Sequence, residues 1–148
     1  MSSNILTSES EITDLLRHTR RIAVLGIKTE AQAAQPAFYV PRYLVDQGFD
    51  VVPVPVYYPE VTSILGRQVV RRLADITPPV DMINVFRRPI DLAAHLDDIL
   101  QSKPKSVWLQ LGIQDDTFAQ TLSDAGIKVV QDRCLLVELR RRLPLVPN

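Results

Sequence analysis

Two cationic segments of this chain have the residue types to bind phosphate, and each follows an apolar run typical of a buried strand. Lys28 comes two residues after Gly26 in the run RIAVLGIK. Arg87 and Arg88 follow the run Met82–Phe86. Lysine offers a compact charge and arginine a planar fork of N–H donors, and both suit phosphate oxygens. The predicted chemistry is therefore the binding of a phosphorylated small molecule, with one of the two arginines as an anion clamp.

The loop after the first apolar run has one glycine where a dinucleotide-binding loop has three. The fingerprint G-x-G-x-x-G provides a tight turn and a close approach of the backbone to a pyrophosphate. After Gly26, residues 27–35 contain no glycine. The sequence thus predicts a Rossmann-type phosphate site without the usual NAD signature.

The end of the next apolar run, Asp50–Val54, also departs from an NAD site. NAD-binding domains place an Asp or Glu there for the ribose hydroxyls. Here the end reads Pro53-Val54-Pro55, and the nearest acid, Asp50, begins the run. Two interpretations remain open: this apolar edge lines a slot for a flat adenine ring, or it simply fills core and turn.

Other reactive residues point to no catalytic or metal chemistry. The sequence has no His, Cys and Asp cluster with metal-ligand spacing and no P-loop or nucleophile-elbow motif. His18 and His95 fall on predicted helices, and we expect them to be exposed and far from the strand ends. Cys134 stands beside Arg133 at a predicted helix N-terminus, which favours a thiolate; the alternative is a small buried residue that packs the last helix.

Composition bounds the class of protein. A length of 148 residues with 46% hydrophobic residues predicts one domain over residues 1–148. The 17 basic and 17 acidic residues cancel, which argues against a nucleic-acid partner. A single cysteine fits a reducing compartment, and Met1–Arg20 has no apolar stretch long enough for a signal peptide or membrane span. We therefore expect a cytoplasmic protein without a membrane partner.

Strands and helices are predicted to alternate, which indicates βαβ units and a parallel sheet in a three-layer, doubly wound α/β fold of Rossmann type. Right-handed crossovers favour the strand order 3-2-1-4-5-6. The ligand crevice then lies at the carboxyl ends of strands one and four, where the order reverses. The predicted strands are Ile22–Leu25, Asp50–Val54, Gly66–Val70, Met82–Phe86, Ser106–Gln110 and Lys128–Val130. The predicted helices are Glu9–Thr19 (a leading helix, ahead of a core over residues 21–139), Pro36–Gln47, Leu73–Ile76, Pro89–Gln101, one capped by Asp115 and ended by Gly126, and one capped by Asp132.

Pro41 conflicts with the second of these helices. A proline in a helix interior removes a hydrogen bond. Either the helix starts late, with Pro41 in its first turn, or it kinks.

Three motifs at the predicted strand ends carry a resemblance. Val85–Pro89 reads VFRRP, Val107–Gly112 reads VWLQLG, and Val130–Cys134 reads VQDRC. Together and in this order they resemble the signatures of the small stand-alone CoA-binding domain proteins, which are similar to the CoA-binding domain of the succinyl-CoA synthetase α subunit. The resemblance covers roughly Arg21–Leu139. It implies a Rossmann-like fold that binds coenzyme A at the ends of strands one and two.

The resemblance also implies roles for individual positions. Gly26, Ile27 and Lys28 match the turn that contacts phosphate, Gln35-Pro36-Ala37 the start of the following helix, and Pro53-Val54-Pro55 the edge near the adenine. Lys28 stands where the family usually has Ser, and Gln35 where a basic residue is common. In effect a cation has moved from the helix start to the strand end. The predicted site comprises Gly26, Ile27, Lys28, Gln35, Pro36, Pro53, Val54, Pro55, Tyr57, Phe86, Arg87, Arg88 and Gly112.

The leading hypothesis is non-catalytic binding of CoA or acyl-CoA, in a carrier, sensor or accessory role. The alternatives are an accessory subunit of an acyl-CoA ligase or transferase, and an NAD-binding redox sensor. An apolar patch near Tyr57 and Tyr58 has two interpretations, a lid over the ligand or the face of a homodimer.

Overall fold

Five parallel strands form the central sheet of the computed structural model, which describes residues 3–145. The order across this sheet is β2-β1-β5-β6-β7, with all neighbours parallel. This confirms the Rossmann-like class and the predicted order of five strands. Residues 1–2 and 146–148 of the predicted domain lie outside the described part. In chain order the strands are β1 (Arg21–Leu25), β2 (Asp50–Val54), β3 (Ser63–Ile64), β4 (Arg67–Gln68), β5 (Met82–Val85), β6 (Ser106–Leu109) and β7 (Lys128–Val130).

Helices cover both faces of the sheet because the strands are apolar on both sides. Along β1, Ile22 and Val24 face one core, while Ala23 and Leu25 face the other. The helices are α1 (Glu9–Arg17), α2 (Pro36–Asp46), α3 (Leu96–Ser102), α4 (Asp116–Asp124) and α5 (Leu135–Arg140), with 3₁₀ turns at Glu30–Gln32, Leu73–Asp75 and Pro89–His95. The core on the side of Ile22 and Val24 contains buried apolar residues of α1, α2 and α5. The core on the side of Ala23 and Leu25 contains buried apolar residues of α3 and α4.

The predicted third strand, Gly66–Val70, is wrong as a member of the sheet. The chain instead forms an antiparallel hairpin of β3 and β4 around Leu65 and Gly66, whose φ angles are both positive, at 54° and 72°. Positive φ at both central residues is the signature of a type I′ hairpin turn. One hydrogen bond joins the segment after the hairpin to the edge of β2, from Val70 N to Pro53 O at 2.9 Å. The hairpin therefore covers the edge of the sheet without extending it.

Of the two N-caps predicted above, Asp115 is confirmed and Asp132 is wrong, and Ser8 is a further N-cap at the start of α1. Ser8 accepts from Glu11 N at 3.2 Å, and Asp115 accepts from Phe118 N at 3.0 Å. Asp132 does not cap α5, because Cys134 holds that position and makes no side-chain cap bond. The Asp132 side chain instead accepts a hydrogen bond from Gly112 N, in the loop after β6. The predicted helix Pro89–Gln101 is also divided, into the 3₁₀ run and α3.

Asp81 fixes the amino edge of the sheet, opposite the predicted crevice. Its Oδ2 accepts hydrogen bonds from the backbone N–H groups of Arg20 and Arg21, both at 2.9 Å. Lys105 Nζ lies 3.6 Å from its Oδ1. Partial burial opposes ionisation, but the hydrogen bonds from Arg21 and Arg20 outweigh it, so the pKa of Asp81 is lowered. This carboxylate holds the start of β1 against β5.

Replacement of Asp81 by Asn tests this anchor. Because a hydrogen bond to a charged group contributes about 1.5–3 kcal/mol, we expect Asp81→Asn to lower the free energy of unfolding by about 2 kcal/mol in urea at neutral pH. The lowered pKa means that the contribution is present above about pH 4 and is lost as the pH falls further, so the two curves should converge in acid. The control is Asp50→Asn, which removes an exposed ion pair to Arg21 and should cost under about 1 kcal/mol. Equal effects of the two substitutions would contradict this assignment.

Candidate ligand-binding site

The loop after β1 begins with a close backbone contact. Gly26 has a φ of +85°, and its N–H donates to Val54 O at 2.9 Å. A Cβ atom at this position would lie 2.4 Å from Phe86 O and 3.1 Å from Arg87 Cδ. No side chain fits there, and an L-residue is disfavoured at this φ. The ends of β1, β2 and β5 therefore meet at Gly26.

Pro41 explains how the backbone of the loop is held at Lys28. Helix α2 begins at Pro36 and contains Pro41 in its interior, so a late start is wrong. Because Pro41 has no N–H, the carbonyl of Ala37 has no partner one turn further along the helix. Lys28 N–H donates to this carbonyl at 3.0 Å. The proline thus provides the acceptor that fixes the backbone of the loop at Lys28.

The Lys28 side chain reaches the start of α2. Its Nζ donates to Gln35 Oε1, and Gln35 is the N-cap residue of α2 without a side-chain cap bond. The two positions that depart from the family pattern are therefore in direct contact. An ammonium group at a helix N-terminus adds to the positive end of the helix dipole, which favours an anion.

Several predicted site residues are buried and have limited freedom to contact a ligand. Ile27 is 1% exposed and packs in the core beside α2, so its side chain faces away from the loop surface. Pro53, Val54 and Pro55 are also buried. Pro36 is exposed at the start of α2. The most accessible apolar group near the end of β2 is Tyr57, which is 61% exposed.

Arg87 lies between Tyr57 and a histidine that sequence reasoning missed. Its guanidinium carbon is 5.6 Å from the centroid of the Tyr57 ring, and its Nε donates to His95 Nε2 at 3.2 Å. The expectation of an exposed, distant His95 is wrong: the residue is half-buried and contacts the strand end. The reason is that the 3₁₀ run Pro89–His95 carries it back beside β5.

The two adjacent arginines occupy different environments. The Arg87 side chain is 14% exposed and lies against Gly26, whereas Arg88 is 78% exposed. Arg88 Nε donates to Asp91 Oδ2 at 2.8 Å, and this hydrogen bond holds the pKa of Asp91 below its usual value. Arg87 NH2 lies 3.6 Å from the same oxygen. The hydrogen bonds of NH1 and NH2 of Arg87 thus remain unused within residues 3–145, which makes it the arginine suited to an anion.

A buried amide pair lies at the end of β5 and β6. Gln110 Oε1 accepts from Asn84 Nδ2 at 3.3 Å and from Leu135 N at 3.2 Å. Asn84 is fully buried, and its Oδ1 has no hydrogen-bond partner among the described residues. A polar residue in the centre of the apolar run of β5 was the available signal for this pair.

Gly112 and Cys134, further along the same edge, are occupied by structural contacts. Gly112 N donates to Asp132 Oδ1 at 2.7 Å, which explains why Asp132 does not cap α5. Cys134 is half-buried and packs against the core beside α1, α2 and α5. The Gly112 N–H is therefore already bonded, whereas Cys134 keeps a free thiol.

A cavity of about 750 Å³ lies at the opposite edge of the sheet. Arg17, Gln47, Gly48 and Asp50 line it, together with Leu143 and its neighbours. Helices α1 and α2 end there, and the carbonyl ends of helices disfavour anions. The residues suited to phosphate lie instead at the carboxyl edge, where none of the cavity's lining residues lies.

Two features are absent from residues 3–145. No helix is long and apolar enough to cross a membrane. No three His, Cys, Asp or Glu side chains gather closely enough to hold a metal ion.

Substitution of Gly26 tests the close contact at the strand ends. Gly26→Ala introduces both an unfavourable φ and a clash with Phe86 O, so we expect a loss of about 3 kcal/mol or more in the free energy of unfolding. Gly48→Ala is the matched control, because its φ of +91° is similar but nothing lies within 4 Å of the added carbon. It should cost about 1 kcal/mol. Denaturant unfolding measures both, and equal costs would refute the contact.

Comparison with known proteins agrees with this architecture. A family model described as CoA binding domain matches residues 20–140. The chain is 30% identical over 130 residues to the uncharacterized protein YneT of Bacillus subtilis (strain 168), covering 88% of this chain and 93% of the relative. It is 42% identical to cell-free ID.343 from Thermus thermophilus, a solved structure that superposes with a TM-score of 0.82 over 91% of this chain and 98% of that one.

A larger protein shares the fold. Part of a dinucleotide-forming acetyl-coenzyme A synthetase of Ca. Korarchaeum cryptofilum superposes with a TM-score of 0.65 and 17% identity, over 79% of this chain and 27% of that one. At this identity the likeness shows the fold alone. The match over residues 20–140 shows the family, and the chain belongs to the CoA-binding domain family.

Proposed function

We propose that this protein binds CoA or acyl-CoA at the carboxyl edge of β1, β2 and β5, in a carrier or sensor role without catalysis. The observation that carries the proposal is the contact between Lys28 Nζ and Gln35 Oε1. It brings the ammonium to the start of α2, the place where the family commonly has its own basic residue. The cation has moved in sequence while staying close to the same point in space.

The backbone of the loop supports a role for side-chain charge. The N–H groups of Gly26 and Lys28 are already bonded to Val54 O and Ala37 O. A glycine-rich dinucleotide loop binds phosphate with free backbone N–H groups. Because these two are occupied, the Lys28 ammonium and the free N–H groups of Arg87 are the main phosphate donors in the proposal.

Tyr57 is the proposed contact for the adenine ring. Arg87 lies over one part of its surface, which holds the ring in place, and 61% of the residue is exposed. Stacking of a base on an aromatic ring contributes about 1–3 kcal/mol. In this proposal the buried Pro53 and Val54 pack beneath the binding surface and do not contact the adenine ring themselves.

The NAD alternative lacks its recognition group. The end of β2 offers no carboxylate for ribose hydroxyls. Asp50 begins β2 at the opposite edge of the sheet and lies 3.3 Å from Arg21. CoA, whose ribose carries a 3′-phosphate, suits a cationic crevice better.

Calorimetric titration with CoA, acetyl-CoA, NAD and NADP tests the proposal. We expect CoA and acetyl-CoA to bind, and NAD to bind at least about tenfold more weakly because it lacks the additional phosphate. Affinity should fall with added salt, since charge supplies much of the binding. Binding of NAD without binding of CoA would overturn the proposal.

A charge-relocation series tests the role of Lys28. Lys28→Ser should lower CoA affinity by about tenfold, because it removes a charge-assisted contact of about 1.5 kcal/mol. The double variant Lys28→Ser, Gln35→Lys returns the cation to the helix start and should recover most of the affinity. Lys103→Ser is the control, since Lys103 follows α3 at the amino edge and should leave affinity unchanged. A double variant as weak as Lys28→Ser would show that Lys28 acts in another way.

A further inference from the structure

The contact between Arg87 and His95 fixes the protonation state of the imidazole. Arginine has only N–H donors, so His95 Nε2 must accept the hydrogen bond from Arg87 Nε at 3.2 Å. The acceptor nitrogen carries no proton, and the neutral ring therefore bears its hydrogen on Nδ1. A protonated ring would instead present an N–H to the Arg87 N–H.

Arg87 is held from several directions at once. Its Cδ lies beside Gly26, where only a glycine leaves room for it. Its guanidinium lies over Tyr57, and its Nε is bonded to His95. Because Arg88 engages Asp91 more closely, at 2.8 Å against 3.6 Å, His95 provides the one side-chain hydrogen bond that orients Arg87 among residues 3–145.

We propose that His95 is a positioning residue that holds Arg87 in the crevice, so that ligand binding requires the neutral imidazole. Protonation of His95 turns its Nε2 from an acceptor into a donor and places a second positive charge beside Arg87. Arg87 then leaves its place against Gly26 and over the Tyr57 ring. The inference rests on the proposed function, because Arg87 is taken to contact the CoA phosphates.

Burial and three charged groups set the pKa of His95, and with it the pH range over which the imidazole becomes protonated. Burial lowers its pKa most, and the charge of Arg87 lowers it further. Asp98 of α3 and Asp91 of the 3₁₀ run oppose this shift. Both are already engaged, Asp98 with the N–H groups of residues 73 and 74 at 2.8 and 2.9 Å, and Asp91 with Arg88.

The lowered pKa of His95 sets the direction in which ligand affinity changes with pH. An unperturbed histidine titrates near pH 6.5, and the pKa of His95 lies below that value. The site is therefore complete at pH 7 and above. Affinity falls as the pH decreases below about 6.5 through the lowered pKa of His95.

The test is calorimetric titration between about pH 7.5 and 4.5, with dephospho-CoA beside CoA. The 3′-phosphate of CoA itself titrates near pH 6, and dephospho-CoA lacks it, so the remaining pH dependence belongs to the protein. For the wild-type protein we expect dephospho-CoA affinity to fall about tenfold over this range, which corresponds to about 1.4 kcal/mol.

Variants of the two histidines separate positioning from other effects. His95→Gln keeps an oxygen acceptor at every pH, so its profile should be flat, within about twofold, and its affinity should exceed that of His95→Ala. His18→Gln removes the exposed histidine at the end of α1 and should keep the wild-type slope. A wild-type slope in His95→Gln would overturn the inference.

A spectroscopic readout keeps the inference separate from the proposed function. Nitrogen-15 NMR of the imidazole rings should show His95 with its proton on Nδ1 and with a pKa below the ordinary histidine value, and circular dichroism confirms that the fold persists in acid. If the wild-type protein binds no CoA at neutral pH, the proposed function fails. If CoA binds but His95 carries its proton on Nε2, the positioning role fails.

Discussion

The backbone of Gly26 passes so close to the carbonyl oxygen of Phe86 that no side chain fits between them, and the geometry of the crevice depends on this contact. A Cβ would stand 2.4 Å from that oxygen. The same residue donates to Val54 O, so three strand ends are joined at one point. The glycine therefore serves packing between strands, whereas the additional glycines of a dinucleotide loop serve close approach of a pyrophosphate.

The proline inside α2 performs the complementary task on the helix side. A helix that lacks one N–H has a carbonyl to spare, and this carbonyl, that of Ala37, binds Lys28 N–H at 3.0 Å. The helix lacks one internal hydrogen bond, and the freed acceptor fixes the backbone of the loop instead. The loop is thereby bonded to the end of β2 through Gly26 N–H and to the start of α2 through Lys28 N–H. These two hydrogen bonds fix the backbone from which the Lys28 side chain reaches Gln35.

The sequence predicted the sheet well because the strands are apolar runs with little ambiguity, and Asp50–Val54 and Lys128–Val130 agree with the structure at both ends. It failed where contacts outside the apolar runs decide. The turn at Leu65 and Gly66 pairs residues 67–68 with residues 63–64 instead of adding them to the sheet, and Gly112 N draws Asp132 away from the last helix. His95 was misjudged for the same reason, because nothing local shows that a 3₁₀ run returns it to Arg87.

The partners of the cations explain why a chain of zero net charge has a crevice suited to an anion. Lys28 is bonded to Gln35 and Arg87 to His95, and both acceptors are neutral, so each of these hydrogen bonds orients a positive charge without cancelling it. Asp91 lies 3.6 Å from Arg87, but Arg88 engages this carboxylate more closely, at 2.8 Å. The buried carboxylate of Glu138, in α5, is instead paired with three arginines, Arg133, Arg141 and Arg142. Positive charge oriented by neutral groups remains available to phosphate, whereas charge paired with carboxylates serves the fold. The neutral acceptor is therefore the feature that distinguishes the binding cations, and it is also the point at which protonation can act.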